Sequence, residues 1–489
     1  MERLSNEMVG PDGRPQGAPG TPLFVDLDGT LVRTDLLFET LMSALKRRPW
    51  ILLALPFWLA RGRAYLKRRL AECGPVRVDL LPYDSDVVTL LAGERERGRT
   101  LVLATAADAT LARGVAAHLG LFDGVIASDG VRNLKSDAKL SAIRDWATGP
   151  FDYMGNGSED VAIWMVAQRA IAVRCDDGAL RRIAARGTPV QRVGTRPAAL
   201  ATLLRALRPH QWAKNALIFL PLLASHIYTD ISLFVRDSIT FVAFSLCASS
   251  VYVINDLLDL DADRAHPRKR RRPFAAGELP IPVGLAASVV LLAGSAALAW
   301  FVGPSVLAVL GIYFALTLSY SLKLKAIVLV DTIVLAGLYT IRVIAGYAAT
   351  DLIPSFYLLA FALFLFFGLA MLKRFSELVD VRKRSVVSPP GRGYRAEDQE
   401  VVGVFGAVTS GLAILVLAFY INTDGVAQLY GHPQRLWGIV PVLLYWVSKV
   451  WLIAHRGEMH EDPVVYALTD RESLCVFLLC VAIATFATF

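Results

Sequence analysis

Features typical of secreted and of cysteine-rich metal proteins are missing from this 489-residue sequence. Its five cysteines match no metal-ligand spacing: Cys73, Cys175, Cys247, Cys475 and Cys480. We therefore expect reduced thiols rather than a disulfide framework or a cysteine metal site. Residues 1–20 have no apolar core of the kind that a cleavable signal peptide needs, and their glycine, proline and polar content predicts a disordered tail.

Apolar residues are abundant and unevenly distributed. At 55% hydrophobic content the chain is too apolar for an ordinary soluble protein, and it is too long for one domain. We predict an all-α membrane domain over 213–489, after a linker or interfacial helix over 195–212. Its transmembrane helices, about nine in number, are expected near 213–230, 237–254, 281–301, 304–320, 327–348, 353–372, 402–421, 436–454 and 473–489.

Basic residues are concentrated in alternate loops of this half. One set of loops holds only Arg236 and Arg435. The other set holds 17 Lys and Arg, at 255–280, 321–326, 373–400 and 455–472. Because cytoplasmic loops are enriched in Lys and Arg, we expect a multi-pass protein of the cell (inner or plasma) membrane, with its soluble domain and active sites in the cytoplasm. Basic loops beside anionic headgroups also account for the net charge of +8, so no nucleic-acid partner is expected.

An acidic segment, 255–263, reads NDLLDLDAD and is followed by HPRKRRRP over 266–273. On a continuous helix, Asp256, Asp259 and Asp263 would share one face. Carboxylates so close together repel one another, and Mg²⁺ chelating a diphosphate would neutralise them. A solvated acidic helix end is the alternative. We predict metal ligands and phosphate-binding cations in this segment, respectively Asn255, Asp256, Asp259 and Asp263, and Lys269, Arg270 and Arg272.

The asparagine–aspartate pair followed by further aspartates resembles the signature of the UbiA superfamily of intramembrane prenyl-handling transferases. Residues 208–215, RPHQWAKN, look like the start of the branch that attaches phosphoribose to polyprenyl phosphate. This resemblance implies that Lys214 binds a phosphate, although a lone Lys at a membrane boundary is often a snorkelling anchor. It also gives Asp256 and Asp259 catalytic roles in transfer.

A second loop discriminates between branches of that superfamily. Relatives that act on aromatic acceptors generally carry a second aspartate-rich motif, whereas residues 373–380 here read KRFSELVD. Lys373 and Arg374 would suit a lipid monophosphate without a second metal cluster, unless they are only cytoplasmic anchors. Lys323 and Arg342 are further candidates for substrate binding. Charges within a transmembrane segment are expensive, which makes both Arg342 and Asp331 functional candidates.

The N-terminal half carries a separate motif. A short apolar strand over 22–27 runs into Asp28-Gly29-Thr30. The Asp26-x-Asp28-Gly-Thr pattern resembles the first motif of the haloacid dehalogenase superfamily of phosphatases. That resemblance implies that Asp26 attacks phosphorus, and that Asp28 protonates the leaving oxygen and later activates water. It also implies that both carboxylates ligate Mg²⁺. A turn without chemistry is the alternative.

Later strands supply residues that fit the same resemblance. Thr105 follows a strand over 100–104 and fits the hydroxyl that holds the phosphoryl group. After a strand near 124–127, Lys135 or Lys139 would neutralise developing charge. We favour Lys139, because it begins a helical pattern.

A fourth strand, 151–154, precedes the position of the family's Gly-Asp-x-x-x-Asp metal motif. Here Asn156 stands where Asp is usual, with Asp160 four residues later. An amide oxygen can ligate Mg²⁺, but one negative charge is lost and the affinity should fall.

Strand–helix alternation over 22–193 predicts a doubly wound parallel α/β domain at 21–194, with its site at the carboxyl ends of the strands. A mostly helical insertion, about 33–98, suits a cap. Its apolar run 49–60 is too short to cross a bilayer, and basic residues flank it. That run is expected either to lie at the membrane interface or to pack on its own domain.

The two resemblances cover nearly the whole chain after residue 20 and imply two successive activities. The membrane half would move phosphoribose from phosphoribosyl diphosphate to polyprenyl phosphate, using Mg²⁺ to draw off the diphosphate. The N-terminal half would remove the 5-phosphate, leaving polyprenylphosphoryl ribose. Two alternatives remain open, an aromatic-acceptor prenyltransferase and a non-catalytic docking or regulatory N-terminal domain, and Asn156 favours the second.

Overall fold

The computed structural model describes residues 20–185, 187–195, 198–383, 392–459 and 463–489. The tail expected over 1–20 lies outside these residues, except for residue 20. The chain divides into two compact units. The N-terminal unit comprises residues up to 207 together with 252–288, and the membrane unit comprises 208–251 and 289–489. The segment 252–288, which contains the end of the first membrane helix and the loop after it, therefore belongs to the N-terminal unit.

A six-stranded parallel sheet forms the centre of the N-terminal unit. Its strands are β1 (Leu23–Val25), β2 (Leu101–Asp108), β3 (Gly124–Ser128), β4 (Asp152–Gly155), β5 (Arg169–Val173) and β6 (Val190–Val193), in the spatial order β3-β2-β1-β4-β5-β6. Val25 pairs with Leu103 of β2 on one side and with Met154 of β4 on the other. The strand order thus reverses at β1, and such a switch point is where open α/β sheets place their ligand crevice.

Helices cover both faces of this sheet. They are α1 (Leu36–Arg47), α2 (Ile51–Ala60), α3 (Arg63–Cys73), α4 (Ser85–Glu96), α5 (Ala109–Leu119), α6 (Asp137–Trp146), α7 (Val161–Trp164), α8 (Asp177–Ala184) and α9 (Ala199–Leu207). Leu23 and Val25 face one buried core, and Phe24 between them faces the other. This alternation follows from the two-residue period of a strand. The predicted doubly wound α/β fold is confirmed.

Eight of the described helices are long and apolar enough to cross a membrane. The longer α-helices are α11 (Ile231–Leu258), α13 (Ile281–Val302), α14 (Pro304–Leu322), α15 (Val330–Thr350), α16 (Phe356–Lys383), α17 (Gln399–Ile421), α19 (Ile439–Arg456) and α21 (Arg471–Thr488). Short helices between them are α10 (Leu220–Ala224), α12 (Leu260–Ala265), α18 (Asp424–Leu429) and α20 (Pro463–Thr469). The all-α membrane domain is confirmed.

The first of the nine expected spans, 213–230, does not form. Those residues belong instead to a 3₁₀-helix, Pro209–Phe219, followed by the five-residue α10. Arg208 and His226 have left-handed backbone conformations, with φ of 53° and 59°, and these end the helical run at both sides. An apolar composition there does not give a continuous α-helix of spanning length.

Candidate active sites

The nucleophile predicted at Asp26 lies at the carboxyl end of β1, next to the cation that sequence reasoning favoured. Lys139 Nζ donates to Asp26 Oδ1 at 2.8 Å, and both side chains are buried. The Thr30 hydroxyl donates to Asp26 Oδ2 at 3.3 Å. Lys135 instead pairs with Glu159, with 2.6 Å between Nζ and Oε1. The phase of α6 explains the difference, because it turns Lys139 towards the sheet and its side chain inward.

Asp160 is held by a set of hydrogen bonds. Its Oδ1 accepts from the Tyr153 hydroxyl at 2.7 Å and lies 3.5 Å from Lys139 Nζ. Its Oδ2 accepts from the backbone N–H groups of Asn156 and Gly157, at 3.1 and 3.3 Å. Through these contacts Asp160 positions Lys139 and the 156–157 turn. Tyr153 was not identified from the sequence, since a buried strand tyrosine gives no motif signal.

Burial shifts the acid–base behaviour of these groups. It raises the pKa of Asp26 to about 6, against the opposing Lys139 charge. Burial and the nearby Asp35 carboxylate raise the pKa of Asp28 well above its ordinary value, although its Oδ1 accepts from the Leu36 N–H at 2.9 Å. Burial would lower the pKa of Lys139, but the Asp26 and Asp160 carboxylates raise it. A nucleophile that ionises before its acid partner is the order that phosphate transfer needs.

A cavity of about 510 Å³ opens at this edge of the sheet. Asp26, Asp28, Lys139 and Asn156 line it, together with Leu59, Arg63 and Leu66 from the helical insertion. Thr105, buried at β2, accepts from the Ala107 N–H at 3.0 Å. The insertion therefore contributes apolar wall to a cavity whose floor is polar.

The donors of this cavity fit Mg²⁺ with one carboxylate fewer than an Asp at position 156 would give. No group of three His, Cys, Asp or Glu side chains within the described parts of the chain is placed to hold a metal ion. Asp26, Asp28 and Asp160 nevertheless line the cavity together with the amide of Asn156. Gly29 lies so close to Asn156 that an added Cβ would be 2.1 Å from its Nδ2. Hard oxygen donors around two buried carboxyls suit a divalent cation.

In the acidic segment, two of the three aspartates meet at one cation. Arg272 Nη1 donates to Asp256 Oδ1 at 3.0 Å and to Asp263 Oδ2 at 2.7 Å. Both aspartates are buried. One guanidinium nitrogen thus lies between two carboxylates. A divalent cation shared by the two carboxylates would take the same position, so these donors fit Mg²⁺ when Arg272 moves away. The sequence assigned Arg272 to a diphosphate and did not predict this pairing.

The third aspartate points elsewhere, because the expected continuous helix is broken. Helix α11 ends at Leu258, and Asp259 is the non-helical residue before α12, with φ −106° and ψ 19°. Asp259 Oδ1 lies 2.6 Å from Lys46 Nζ of α1. Asn255 is half-buried, and Lys269 and Arg270 are exposed on a one-turn 3₁₀-helix. The single face predicted for all three aspartates is therefore replaced by two positions.

A buried ion pair that sequence reasoning missed holds this segment to α1. Arg264 donates from Nη2 and Nη1 to the two carboxylate oxygens of Glu39, at 2.6 and 3.1 Å. Its Nε donates to the Ala275 carbonyl at 3.1 Å, and the Thr34 hydroxyl donates to Glu39 at 2.7 Å. Both charged side chains are buried. Neither residue stands in a recognisable motif, so only the tertiary structure reveals the contact.

In the membrane unit, Arg374 is a buried partner of Asp331. Arg374 Nε lies 2.8 Å from Asp331 Oδ2, and Arg374 also pairs with Glu377. The Tyr394 hydroxyl donates to Asp331 Oδ1 at 2.7 Å, and Arg392 Nη1 lies 3.6 Å from Oδ2. The lipid-phosphate role expected for Arg374 conflicts with this burial. Lys373 beside it is half-buried.

Arg342 of helix α15 is also enclosed. Its Nε donates to Asn215 Oδ1 at 2.7 Å, its Nη2 donates to the Tyr313 hydroxyl at 3.1 Å, and its Nη1 donates to the Leu338 carbonyl. These contacts satisfy a buried guanidinium and differ from the substrate role expected for it. Lys214 Nζ lies 5.7 Å from the Tyr339 ring centroid, a cation–π distance, and Lys323 is exposed.

Comparison with known proteins decides the family. Residues 216–470 match the model of the UbiA prenyltransferase family. The chain belongs to that family. An uncharacterized protein of Sinorhizobium fredii is 35% identical over 92% of this chain and 88% of its own length. The decaprenyl-phosphate phosphoribosyltransferase of Mycobacterium tuberculosis strain H37Rv is 39% identical over 57% of this chain and 92% of its own length.

Solved structures show weaker likeness to this UbiA protein. A UbiA homolog from Archaeoglobus fulgidus bound to GPP and Mg²⁺ gives a TM-score of 0.44 at 17% identity, covering 59% of this chain and 99% of that one. A haloacid dehalogenase family hydrolase from Salmonella enterica serovar Typhi gives 0.28 at 13% identity, covering 36% of this chain and 70% of that one. The family match, the eight candidate spans among the described helices and the parallel sheet make this UbiA chain a multi-pass membrane protein of an enzyme family, with a doubly wound N-terminal domain.

Proposed function

We propose that this UbiA protein transfers phosphoribose from phosphoribosyl diphosphate to polyprenyl phosphate. We further propose that its N-terminal domain then removes the 5-phosphate of the lipid product. The similarity to a decaprenyl-phosphate phosphoribosyltransferase supports the first step. The Asp26, Asp28 and Lys139 arrangement supports the second. The excess of Lys and Arg in alternate loops supports a cytoplasmic position for both sites.

The transferase step needs charge neutralisation more than proton transfer. Asp256 and Asp263 would hold Mg²⁺, which supplies positive charge to the departing diphosphate. Arg272, released from the two carboxylates, would bind that diphosphate, as Lys269 and Arg270 would from their exposed turn. The lipid phosphate oxygen attacks the anomeric carbon while the bond to diphosphate breaks. That oxygen is already ionised near neutral pH, so no general base is required.

Lys373 is the stronger candidate for the lipid phosphate. Arg374 is buried and paired with Asp331, so its guanidinium supports the packing of α16 instead of facing a ligand. A lipid monophosphate carries less charge than a diphosphate, and one or two cations suffice to hold it. Arg392, partly exposed and 3.0 Å from the Tyr320 hydroxyl, is the nearest additional cation around Asp331 among the contacts described.

The phosphatase step uses two carboxyls with different tasks. Asp26 attacks phosphorus, the bond from phosphorus to the ribose 5-oxygen breaks, and Asp28 gives its proton to that oxygen. Lys139 neutralises the phosphoryl oxygens beside the nucleophile. Asp28 then accepts a proton from water, which attacks the aspartyl-phosphate and releases inorganic phosphate. Mg²⁺ bound by Asp26, Asp28 and Asn156 would add positive charge there.

The helical insertion supports a lipid as the phosphatase substrate. Helix α2 leaves large apolar side chains exposed, among them Leu53 at 75% and Phe57 at 74%. Leu59, at the end of the same helix, lines the cavity that contains Asp26. An apolar surface that continues into a catalytic cavity suits an amphipathic substrate at a membrane surface, with basic flanks such as Arg61 and Arg63 near anionic headgroups.

The convergence of Asp256 and Asp263 on one cation carries the transferase proposal. The test incubates the full-length protein with radiolabelled phosphoribosyl diphosphate, polyprenyl phosphate and Mg²⁺, and resolves the lipid products. We expect labelled lipid from the wild type and none from Asp256→Ala. Near-normal transfer by that variant would remove the proposed metal site.

A non-catalytic N-terminal domain is the second candidate function. Asn156 lowers the negative charge of the metal site and favours this candidate. If the domain only docks or regulates, the lipid product keeps its 5-phosphate at every Mg²⁺ concentration. Release of inorganic phosphate from the purified lipid product by the full-length protein, absent in Asp26→Asn, would exclude this candidate.

A further inference from the structure

Helix α1 touches both candidate sites of the N-terminal unit. At its beginning, the Leu36 N–H donates to Asp28 Oδ1 at 2.9 Å. In its last turn, Lys46 Nζ lies 2.6 Å from Asp259 Oδ1 in the acidic segment. One helix of 12 residues therefore contacts both the phosphatase acid and the acidic segment of the transferase.

The position of α1 against the acidic segment is fixed by the packing of its other residues. Glu39, on the same helix, makes the buried two-contact ion pair with Arg264. Met42 packs in one buried apolar cluster with Leu257 and Phe274 from the 252–288 chain. A buried ion pair and an apolar cluster constrain the register of the two elements, so α1 cannot slide along the acidic segment without breaking both.

Stability does not account for the Lys46–Asp259 pair itself. The Lys46 side chain is 47% exposed and that of Asp259 is 29% exposed, and exposed pairs contribute little to folding. Lys46 also lines a cavity of about 400 Å³. Ser43, Lys46, Arg47 and Asp261 supply its polar walls, with Glu39 committed to Arg264. Two cations, Lys46 and Arg47, at an open cavity suit an anionic ligand.

We propose that Lys46, supplied by the phosphatase domain, is a phosphate-binding residue of the transferase site, with Arg47 beside it. The ligand class is a sugar diphosphate that carries a further phosphate, and the inference rests on the proposed transferase function. Lys46 neutralises Asp259 while the site is empty. Binding of the substrate would draw the ammonium group from Asp259 to a phosphate oxygen.

The experiment compares Lys46→Met and Lys46→Arg with a matched control in the full-length protein in lipid nanodiscs. Arg68→Met removes an exposed cation of α3 that pairs with Glu72. We expect Lys46→Met to raise the KM for phosphoribosyl diphosphate about 10-fold or more, because a charge-assisted hydrogen bond is lost. The KM for polyprenyl phosphate should stay unchanged. Lys46→Arg should restore most of the affinity, and Arg68→Met should match the wild type.

Ligand titration without turnover provides a second readout. Inorganic diphosphate and ribose 5-phosphate are each titrated in the presence of Mg²⁺, and the ligand whose Kd rises in Lys46→Met identifies the phosphate that Lys46 binds. Unchanged Kd values for both ligands, with an unchanged KM, would overturn the proposal and make Lys46 only a cation at a helix end. A wild type that binds these ligands but transfers nothing would contradict the transferase function while leaving the Lys46 site supported.

Discussion

Arg374 and Asp331 form an ion pair in the membrane unit, with 2.8 Å between Nε and Oδ2 and almost no exposure of either side chain. Lys373, the adjacent cation, is half-buried. Two neighbouring basic residues in one motif therefore have different tasks. A buried cation that neutralises a buried carboxylate supports structure, whereas the less buried Lys373 is the one that we propose for the lipid phosphate.

The first prediction separates these tasks by single substitutions. Lys373→Ala should raise the KM for polyprenyl phosphate roughly 10- to 150-fold, the loss expected for a charge-assisted hydrogen bond. Arg374→Ala should lower stability by about 3–5 kcal/mol, because it leaves Asp331 buried with less neutralisation. Steady-state kinetics and thermal unfolding in detergent measure the two effects. A lipid KM that rises only in Arg374→Ala would reverse the assignment.

The second prediction concerns the buried pair of Glu39 and Arg264. Glu39→Gln should destabilise the full-length protein by about 3–5 kcal/mol, since it leaves a buried guanidinium without its counter-charge. The double variant Glu39→Met with Arg264→Met should recover much of that loss. Arg68→Met, which breaks an exposed ion pair with Glu72, should lower the free energy of unfolding by less than about 1 kcal/mol. Equal unfolding midpoints for Glu39→Gln and Arg68→Met would contradict a buried ionic contact.

The third prediction tests the phosphatase domain. Asp26→Asn should leave the transferase active and cause the 5-phosphorylated lipid to accumulate, because only the nucleophile is lost. Asn156→Asp should lower the Mg²⁺ concentration at half-maximal phosphatase activity, since a carboxylate replaces a neutral ligand. Chromatography of the labelled lipids and a phosphate-release assay follow the two outcomes. No difference between wild type and Asp26→Asn at any Mg²⁺ concentration would favour the docking function.

The fourth prediction is a pH profile for phosphate release. Asp26 must be ionised to attack, and its pKa of about 6 places the acid limb of kcat/KM near pH 6 at low Mg²⁺. Asp28 must be protonated, and its pKa is raised well above the ordinary value, so activity should fall again at higher pH. Raising Mg²⁺ should shift the acid limb to lower pH, because the cation favours the carboxylate.

The raised pKa of Asp26 also makes the stability of the folded protein depend on pH. The folded protein holds the Asp26 proton more tightly than the unfolded chain does. The contribution of Asp26 to the free energy of unfolding therefore declines as pH rises from about 3.8 to about 6. Asp26→Asn should remove that decline. A profile of kcat/KM that is flat between pH 5 and pH 7 would contradict the raised pKa.

The fifth prediction concerns the exposed apolar face of α2. Phe57→Asp should weaken dephosphorylation of the lipid product in nanodiscs several-fold, because a carboxylate is unfavourable at an apolar interface. Hydrolysis of the soluble ester 4-nitrophenyl phosphate should stay unchanged. Phe57→Leu keeps an apolar side chain and is the matched control. Equal loss on both substrates would show that α2 supports the fold of the cavity instead of contacting lipid.

Part of the sheet-edge site could be predicted from the sequence. Residues at the carboxyl ends of parallel strands lie at one edge, so the strand patterns predict that Asp26 and Thr105 both belong to that edge. Helical phase favoured Lys139 over Lys135, and the structure places Lys139 against Asp26. Short buried strands give a clear apolar pattern in the sequence. This part of the site could therefore be predicted, because its residues follow such strands directly.

Long-range pairing lay beyond such reasoning. Arg272 was expected to bind a phosphate, but nothing local shows that it returns to Asp256. Helical spacing assumed that α11 continues through Asp259, and no glycine or proline at that point indicates the break. The expected span at 213–230 was inferred from apolar content, which does not report the left-handed conformations at Arg208 and His226. Each of these features depends on tertiary contacts.

Gly277 approaches Arg33 so closely that an added Cβ would lie 2.6 Å from the Arg33 carbonyl oxygen. Arg33 is synthesised before any of the eight candidate spans, and Gly277 only after the first of them. The growing chain can therefore fold its N-terminal domain first and use it as a template for the loop that emerges later. A protein started at an internal methionine would insert its helices but leave Arg264 and Phe274 without the surface that buries them. Keeping both halves in one reading frame thus provides an order of assembly that two separate genes would lack.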